Sequence, residues 1–217
     1  MQADFPYLAL AQTAQFYLVG QSLDPEQGIT GVETIVPVPR GRWVASASFV
    51  LSGEAARLQW EAFLARMEGR IGTTLVPART RLRPRDRFGR ALSGAPAGVP
   101  DRNGVIPPAF PPRVTVASAA VLRQRWLDVV YEDTTGILPG HSFSVGDRLH
   151  KVQAVQALGG VHRISFNPPL RAAVAAGAAV EIDRPVCRMR FTTETEGLFD
   201  QALSELPAVN VNFVEAI

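Results

Sequence analysis

The sequence predicts a mainly β protein: a β-sandwich domain with one packed α-helix, at about 53–68, and an inserted small β-barrel or sandwich domain. Three observations carry this. Apolar and polar residues alternate with a period of two at 42–51, 186–193 and 209–213. Between 53 and 68 the apolar spacing changes to that of a helix face, and from 114 to 183 short apolar runs recur between turn residues.

Taken in order, Ala14 to Val19 and Val32 to Val38 are the first two strand candidates. From Arg42 to Leu51, Trp43, Ala45, Ala47, Phe49 and Leu51 fall on one face of a strand and Ser46 and Ser48 on the other, so one face is core. Ser52 is placed to cap a helix through its hydroxyl, Glu54 suits the positive first turn, and Arg66 and Arg70 suit the negative end. Gly69 supplies the left-handed stop. On that helix Trp60, Phe63, Leu64 and Met67 form an i, i+3, i+4, i+7 stripe, each side chain contributing about 1.5–3 kcal/mol when buried, so the helix must pack on a sheet. Thr73 to Val76 follows as a strand ended by Pro77, which has no amide to give a ladder.

The stretch 79–113 differs in kind. It holds Arg79, Arg81, Arg83, Arg85, Arg87 and Arg90, then repeated prolines among glycines, and reads as a long connection or extended arm. Beyond it, strand candidates lie at Val114–Ser118, Arg125–Tyr131, His141–Val145, Leu149–Val155, His162–Phe166 and Ala179–Ile182. Gly146-Asp147 is a tight turn, and Asn167-Pro168-Pro169 to Gly177 reads as a short proline-started helical turn. After Pro185, Cys187, Met189 and Phe191 alternate with arginines and threonine, and Val209, Val211 and Phe213 alternate with asparagines. Two strands alone are marginal in water, so these last ones are expected to pair with the N-terminal sheet. The expected organisation is therefore a discontinuous domain of 1–82 and 184–217, an Arg/Pro-rich linker or arm at 83–113, and an inserted β domain at 114–183.

Composition narrows the function. Charged residues are 19% of the 217, against about 25% in a typical domain, while 47% are hydrophobic. A monomer would have little charge to cover its exterior, and subunit interfaces would absorb the deficit. Apolar runs nowhere approach the ~18 residues of a membrane span, and the N-terminus lacks the basic start of a signal peptide. The single cysteine, Cys187, excludes an internal disulfide framework. A net charge of +2, with Lys151 the only lysine, does not by itself imply a nucleic-acid partner.

No motif carries chemistry. Gly140-His141-Ser142-Phe143-Ser144 approaches a nucleophile elbow, but Ser144 stands where a glycine is required and no helix follows. His141, His150 and His162 have no zinc spacing and read as surface or strand-face residues. Glu132, Asp133 and Asp147 read as turn residues rather than an acid–base pair, and Gly159-Gly160 lacks a phosphate-loop context. The expectation is a protein that is not an enzyme, with no catalytic residue, metal or cofactor. The positive cluster supplies interface candidates instead: Arg81, Arg83, Arg85, Arg87 and Phe88, directed at a neighbouring protein rather than nucleic acid, because Asp86 and prolines break the cluster and guanidinium groups are good interface donors.

Two groups of motifs point to a family. The first is Arg40-Gly41-Arg42-Trp43 leading into a strand, then Ala62-Phe63-Leu64-Ala65 and Gly69-Arg70-Ile71-Gly72. The second is Val145-Gly146-Asp147, Leu149-His150-Lys151-Val152, Asn167-Pro168-Pro169-Leu170-Arg171, Gly177 and Arg184-Pro185. Together, over about half of the chain, they resemble the distal tail or minor tail proteins of long-tailed bacteriophages. The resemblance implies a belt-type β-sandwich with a helix and a second, inserted β domain. It implies a homo-oligomer, a hexameric ring, set between tail-tube protein and tail-tip hub protein at the virion tail tip and made in the host cytoplasm. Two alternatives remain: another minor tail or hub protein, or a carbohydrate-binding β module for host-surface attachment through Trp126, Tyr131 or His141.

Overall fold

The computed structural model describes residues 2–6, 10–23, 26–27, 33–36, 41–78, 82–89, 112–198 and 208–217. Its strands are β1 (Gln2–Ala3), β2 (Leu10–Val19), β3 (Glu26–Gln27), β4 (Glu33–Thr34), β5 (Arg42–Val50), β6 (Thr73–Pro77), β7 (Arg113–Val116), β8 (Trp126–Glu132), β9 (Ser142–Val145), β10 (Arg148–Leu158), β11 (Val161–Asn167), β12 (Val180–Glu181), β13 (Val186–Phe191) and β14 (Ala208–Glu215). Among the described residues α1, Gly53–Met67, is the one α-helix. The protein is mainly β, as the alternating patterns require. Its residues divide into two compact units: Met1–Val76 with Arg188–Ile217, and Pro77–Cys187.

In the first unit the sheet order is β1-β6-β13-β14-β5-β2. The odd-numbered residues of β5 and β14, among them Phe49, Val211 and Phe213, are buried on one face. On that face α1 lays Ala56, Trp60, Phe63 and Met67. The contact is aromatic: Phe49 to Trp60 at 5.4 Å between ring centroids, Trp60 to Phe63 at 5.4 Å and Phe63 to Phe191 at 5.8 Å, within the range where offset and edge-on rings attract. The opposite face carries Ser46, Ser48, Asn210 and Asn212, paired Ser46 with Asn212 and Ser48 with Asn210. β3 and β4 form a separate antiparallel pair, which includes part of the Val32–Val38 candidate.

Both expected helix ends are in place, but the N-cap lacks its bond and the C-terminal turn has an added feature. Ser52 sits at the N-cap with extended backbone (φ −88°, ψ 115°) but makes no side-chain cap bond. At the other end Glu68 is already left-handed (φ 47°), one residue before Gly69 (φ 62°). The reason is a close approach: the Gly72 amide donates to the Met67 carbonyl at 2.8 Å, and a Cβ on Gly72 would lie 2.5 Å from that oxygen. Gly69 is the left-handed residue just past the C-cap, as expected, and Gly72 is a second glycine that this closure requires.

In the second unit the order is β12-β9-β10-β11-β8-β7. The two ends of that order meet, because Thr115 bridges Ala179 and the Val116 amide donates to the Ala178 carbonyl at 2.9 Å. The sheet thus curls into a nearly closed barrel around Leu127, Val129, Phe143, Ile164 and Phe166. Leu158 faces Val161 across Gly159-Gly160, both at positive φ (53° and 101°), the two-residue turn whose twist matches a hairpin. The stretch after Asn167 is not a helical turn. Its amides are used elsewhere: Leu170 donates to Gln124 and Val174 to Ala120, each at 2.9 Å, so the segment is laced to 120–124 instead of to itself.

Candidate interaction surfaces

The described part of the arginine-rich stretch, 82–89, belongs to the second unit and is bonded to its 133–135 segment. Asp86 forms a β-bridge with Thr134. The Arg85 carbonyl accepts from the Thr135 amide at 3.0 Å and from Thr134 Oγ1 at 2.7 Å, and the Arg87 amide donates to the Asp133 carbonyl at 3.0 Å. Asp86 is buried, and its Oδ1 takes the Phe88 amide at 2.9 Å, while the Gly89 amide closes the turn on the Asp86 carbonyl at 2.9 Å. Asp133, read from the sequence as a turn residue, and the following Thr134 and Thr135 are the receiving side of this strap.

The guanidinium groups follow the strap. Arg83 Nη1 donates to the Asp183 carbonyl at 3.1 Å and its Oδ1 at 3.0 Å, Arg85 Nη1 to the Gly89 carbonyl at 2.9 Å, and Arg87 Nη1 to Asp133 Oδ1 at 3.1 Å. Arg87 also lies 4.7 Å from the centroid of the Phe88 ring, which is 60% exposed. Of the five interface candidates, Arg83, Arg85, Arg87 and Phe88 are therefore brought together on one strap, and Arg81 lies outside the described residues.

The other singled-out groups do not converge. Lys151 Nζ lies 3.5 Å from Ser142 Oγ on the paired strand, and Lys151 is solvent-exposed. His141 Nδ1 is occupied by the Leu138 amide at 3.1 Å, and burial, with Lys151 nearby, holds its pKa below the usual imidazole value. His162 stacks on Tyr131 at 4.3 Å, and burial raises the Tyr131 phenol. Among the described residues no group of three or more His, Cys, Asp or Glu is arranged to hold a metal. Among them, too, no helix is long and apolar enough to cross a membrane.

Of the two readings given for the histidines, surface or strand face, His150 takes the second, on the buried side of β10. Far from the surface, it is 1% exposed, with its ring 5.3 Å from Phe143 and 4.8 Å from Phe166. Its Nδ1–H donates to the Pro168 carbonyl at 2.8 Å. Burial lowers its pKa to about 4; the Pro168 bond opposes this and the nearby Arg171 and Arg148 add to it.

One cluster had no sequence signal, because its members come from two strands. Arg163 on β11 makes a two-pronged contact with Asp128 on β8, at 2.8 and 2.9 Å, and lies 4.0 Å from the centroid of Trp126. The Trp126 face beneath that guanidinium is thus taken, which narrows the aromatic platform available to a sugar. The Arg163 hydrogen bond holds the Asp128 carboxyl below its ordinary pKa. Arg163→Gln is expected to raise the Asp128 pKa, followed by carboxyl carbon NMR; an unchanged titration would show the pair is not formed in solution.

No protein-family model and no curated protein sequence matches this chain. Its function is therefore argued from the surfaces themselves.

Proposed function

We propose that the chain is a structural virion protein, a ring-forming distal tail component that joins the tail tube to the tail-tip hub of a long-tailed phage. It works through contact surfaces rather than reactive side chains. The observation that supports this most is the edge of the first sheet. β2 is ten residues long, pairs among the described strands only with β5, and reads Leu-Ala-Gln-Thr-Ala-Gln-Phe-Tyr-Leu-Val with no charge and no proline. Edge strands of lone proteins are normally blunted by charge, proline or brevity, because unpaired backbone groups recruit other strands. The far edge of the same sheet is β1, two residues long. An uncharged edge of this length suits a subunit whose neighbours cover it, and a closed ring leaves no such edge open.

The test is assembly. Size-exclusion chromatography with light scattering, followed by negative-stain imaging, is expected to show closed rings that bind tail-tube or hub protein. A chain that stays monomeric at high concentration and binds neither would overturn the proposal.

A further inference from the structure

The net charge of +2 conceals a division between the two units. Residues 77–187 contain fifteen Lys and Arg against eight Asp and Glu, a net of +7, whereas 1–76 with 188–217 contain seven against twelve, a net of −5. Opposite charge on two units of one chain makes each copy complementary to another copy of itself.

Each unit offers a surface where exposed apolar side chains stand beside charge of that sign; on α1 this is one stripe of the helix, bordered by Arg57, with Arg66 and Arg70 on other sides. On α1 the buried side is Ala56, Trp60, Phe63 and Met67, and the helical repeat puts Glu54, Leu58, Glu61 and Ala65 opposite it, with Glu68 just past its end. Leu58 is 56% exposed in the middle of these glutamates. On the barrel, the corner 121–126 carries Arg123 and Arg125, both exposed, beside Val121 (68% exposed), Leu122 (54%) and Trp126 (38%). This corner is held in place: the Arg123 amide donates to the Leu170 carbonyl, and the Arg125 carbonyl accepts from the Phe166 amide, both at 2.9 Å. Arginine and tryptophan around an aliphatic centre is the composition of energetic hot spots at protein interfaces.

We propose that the Val121–Trp126 corner of one copy docks on the Glu54/Leu58/Glu68 face of α1 in a second copy. The arginines meet the glutamates while Val121, Leu122 and Trp126 cover Leu58 and Ala65. The contact joins two different surfaces, so it can be repeated from copy to copy around a ring. It rests on the reading of the chain as a self-assembling subunit, and adds the surfaces and the force that bring copies together.

The experiment is charge reversal read by sedimentation velocity, with melting curves to check that each variant folds. One variant carries Glu54→Arg and Glu68→Arg, the other Arg123→Glu and Arg125→Glu. Each alone is expected to weaken association about tenfold or more, since like charges then face each other. An equal mixture of the two, and a single chain carrying all four changes, are expected to recover it. Raising salt from 50 to 300 mM is expected to weaken wild-type assembly in the same direction. If both variants assemble like wild type, if only one weakens, or if mixture and four-fold variant fail to recover, this contact is wrong while assembly by another surface stands. A wild-type chain that never assembles overturns both.

Discussion

Trp60→Ala is expected to destabilise the first unit by about 3–5 kcal/mol, the range for removing a fully buried aromatic side chain. Trp60 is completely buried between Phe49 and Phe63, and its indole N–H donates to the Gly197 carbonyl at 2.9 Å. Truncation opens a cavity beneath the sheet and also leaves that carbonyl without its donor. The surroundings have little freedom to collapse. Gly197 sits at φ 78°, and a Cβ there would already lie 3.0 Å from Leu64 and 3.2 Å from the Trp60 ring. A loss of this size is a large share of the ~5–15 kcal/mol that holds a domain folded. Amide exchange in β5 and β14 reads it without interference from the second unit, and exchange slowed as in wild type would refute it. Trp60→Phe keeps an aromatic ring but not the donor, and should fall between the two.

The second large effect is on pH dependence, through His150. In the unfolded chain its imidazole has its ordinary pKa of 6.5, whereas in the barrel burial lowers it to about 4. Between those values the unfolded chain holds a proton that the folded one does not, so acid favours unfolding. The contribution is fully present above pH 6.5, falls as pH drops toward 4, and amounts to about 3 kcal/mol over the window. No compensating acid lies among the causes of the shift, since Arg171 and Arg148 both disfavour the imidazolium. His150→Phe keeps a ring between Phe143 and Phe166 and removes the titration. Urea unfolding of the barrel at pH 7.5, 5.5 and 4.5 should show the wild type losing about 2.5 kcal/mol more than the variant. Parallel curves for the two proteins would sink the assignment, whatever the variant's absolute stability.

Both effects come from residues whose environments were unequally visible in the sequence. The Trp60 stripe is repeated at helical spacing, and a repeat is a local property that any partner sheet must respect. His150 stands between Leu149 and Lys151 with nothing local to mark it. Leu149 and His150 are both buried, so simple alternation misplaces the histidine. Its burial follows from Phe143 and Phe166 arriving from β9 and β11, which only the folded barrel brings together.

The interface candidates divide in the same way. That Arg83, Arg85, Arg87 and Phe88 belong to a proline-bounded segment is plain from composition. The bonding of Arg83 to Asp183 and of Arg87 to Asp133 depends on residues up to 100 positions distant. The Arg123–Trp126 corner has no local charge signal, since two arginines beside a tryptophan look ordinary until the units are known and the charge is counted within each.

The sequence by itself determined the secondary structure and its faces: the period of two in β5, β13 and β14, the helical period of α1, and the turns that set off β8 to β11. These depend on neighbours a few residues apart, where pleat and helix geometry dictate which side chains share a face. Tertiary structure alone decided that β14 lies between β13 and β5, that β7 returns to β12, that Gly72 closes the helix, and that His150 is core. Each of those depends on contacts between distant segments, whose partners are chosen by packing and by the need to satisfy every buried backbone group at once.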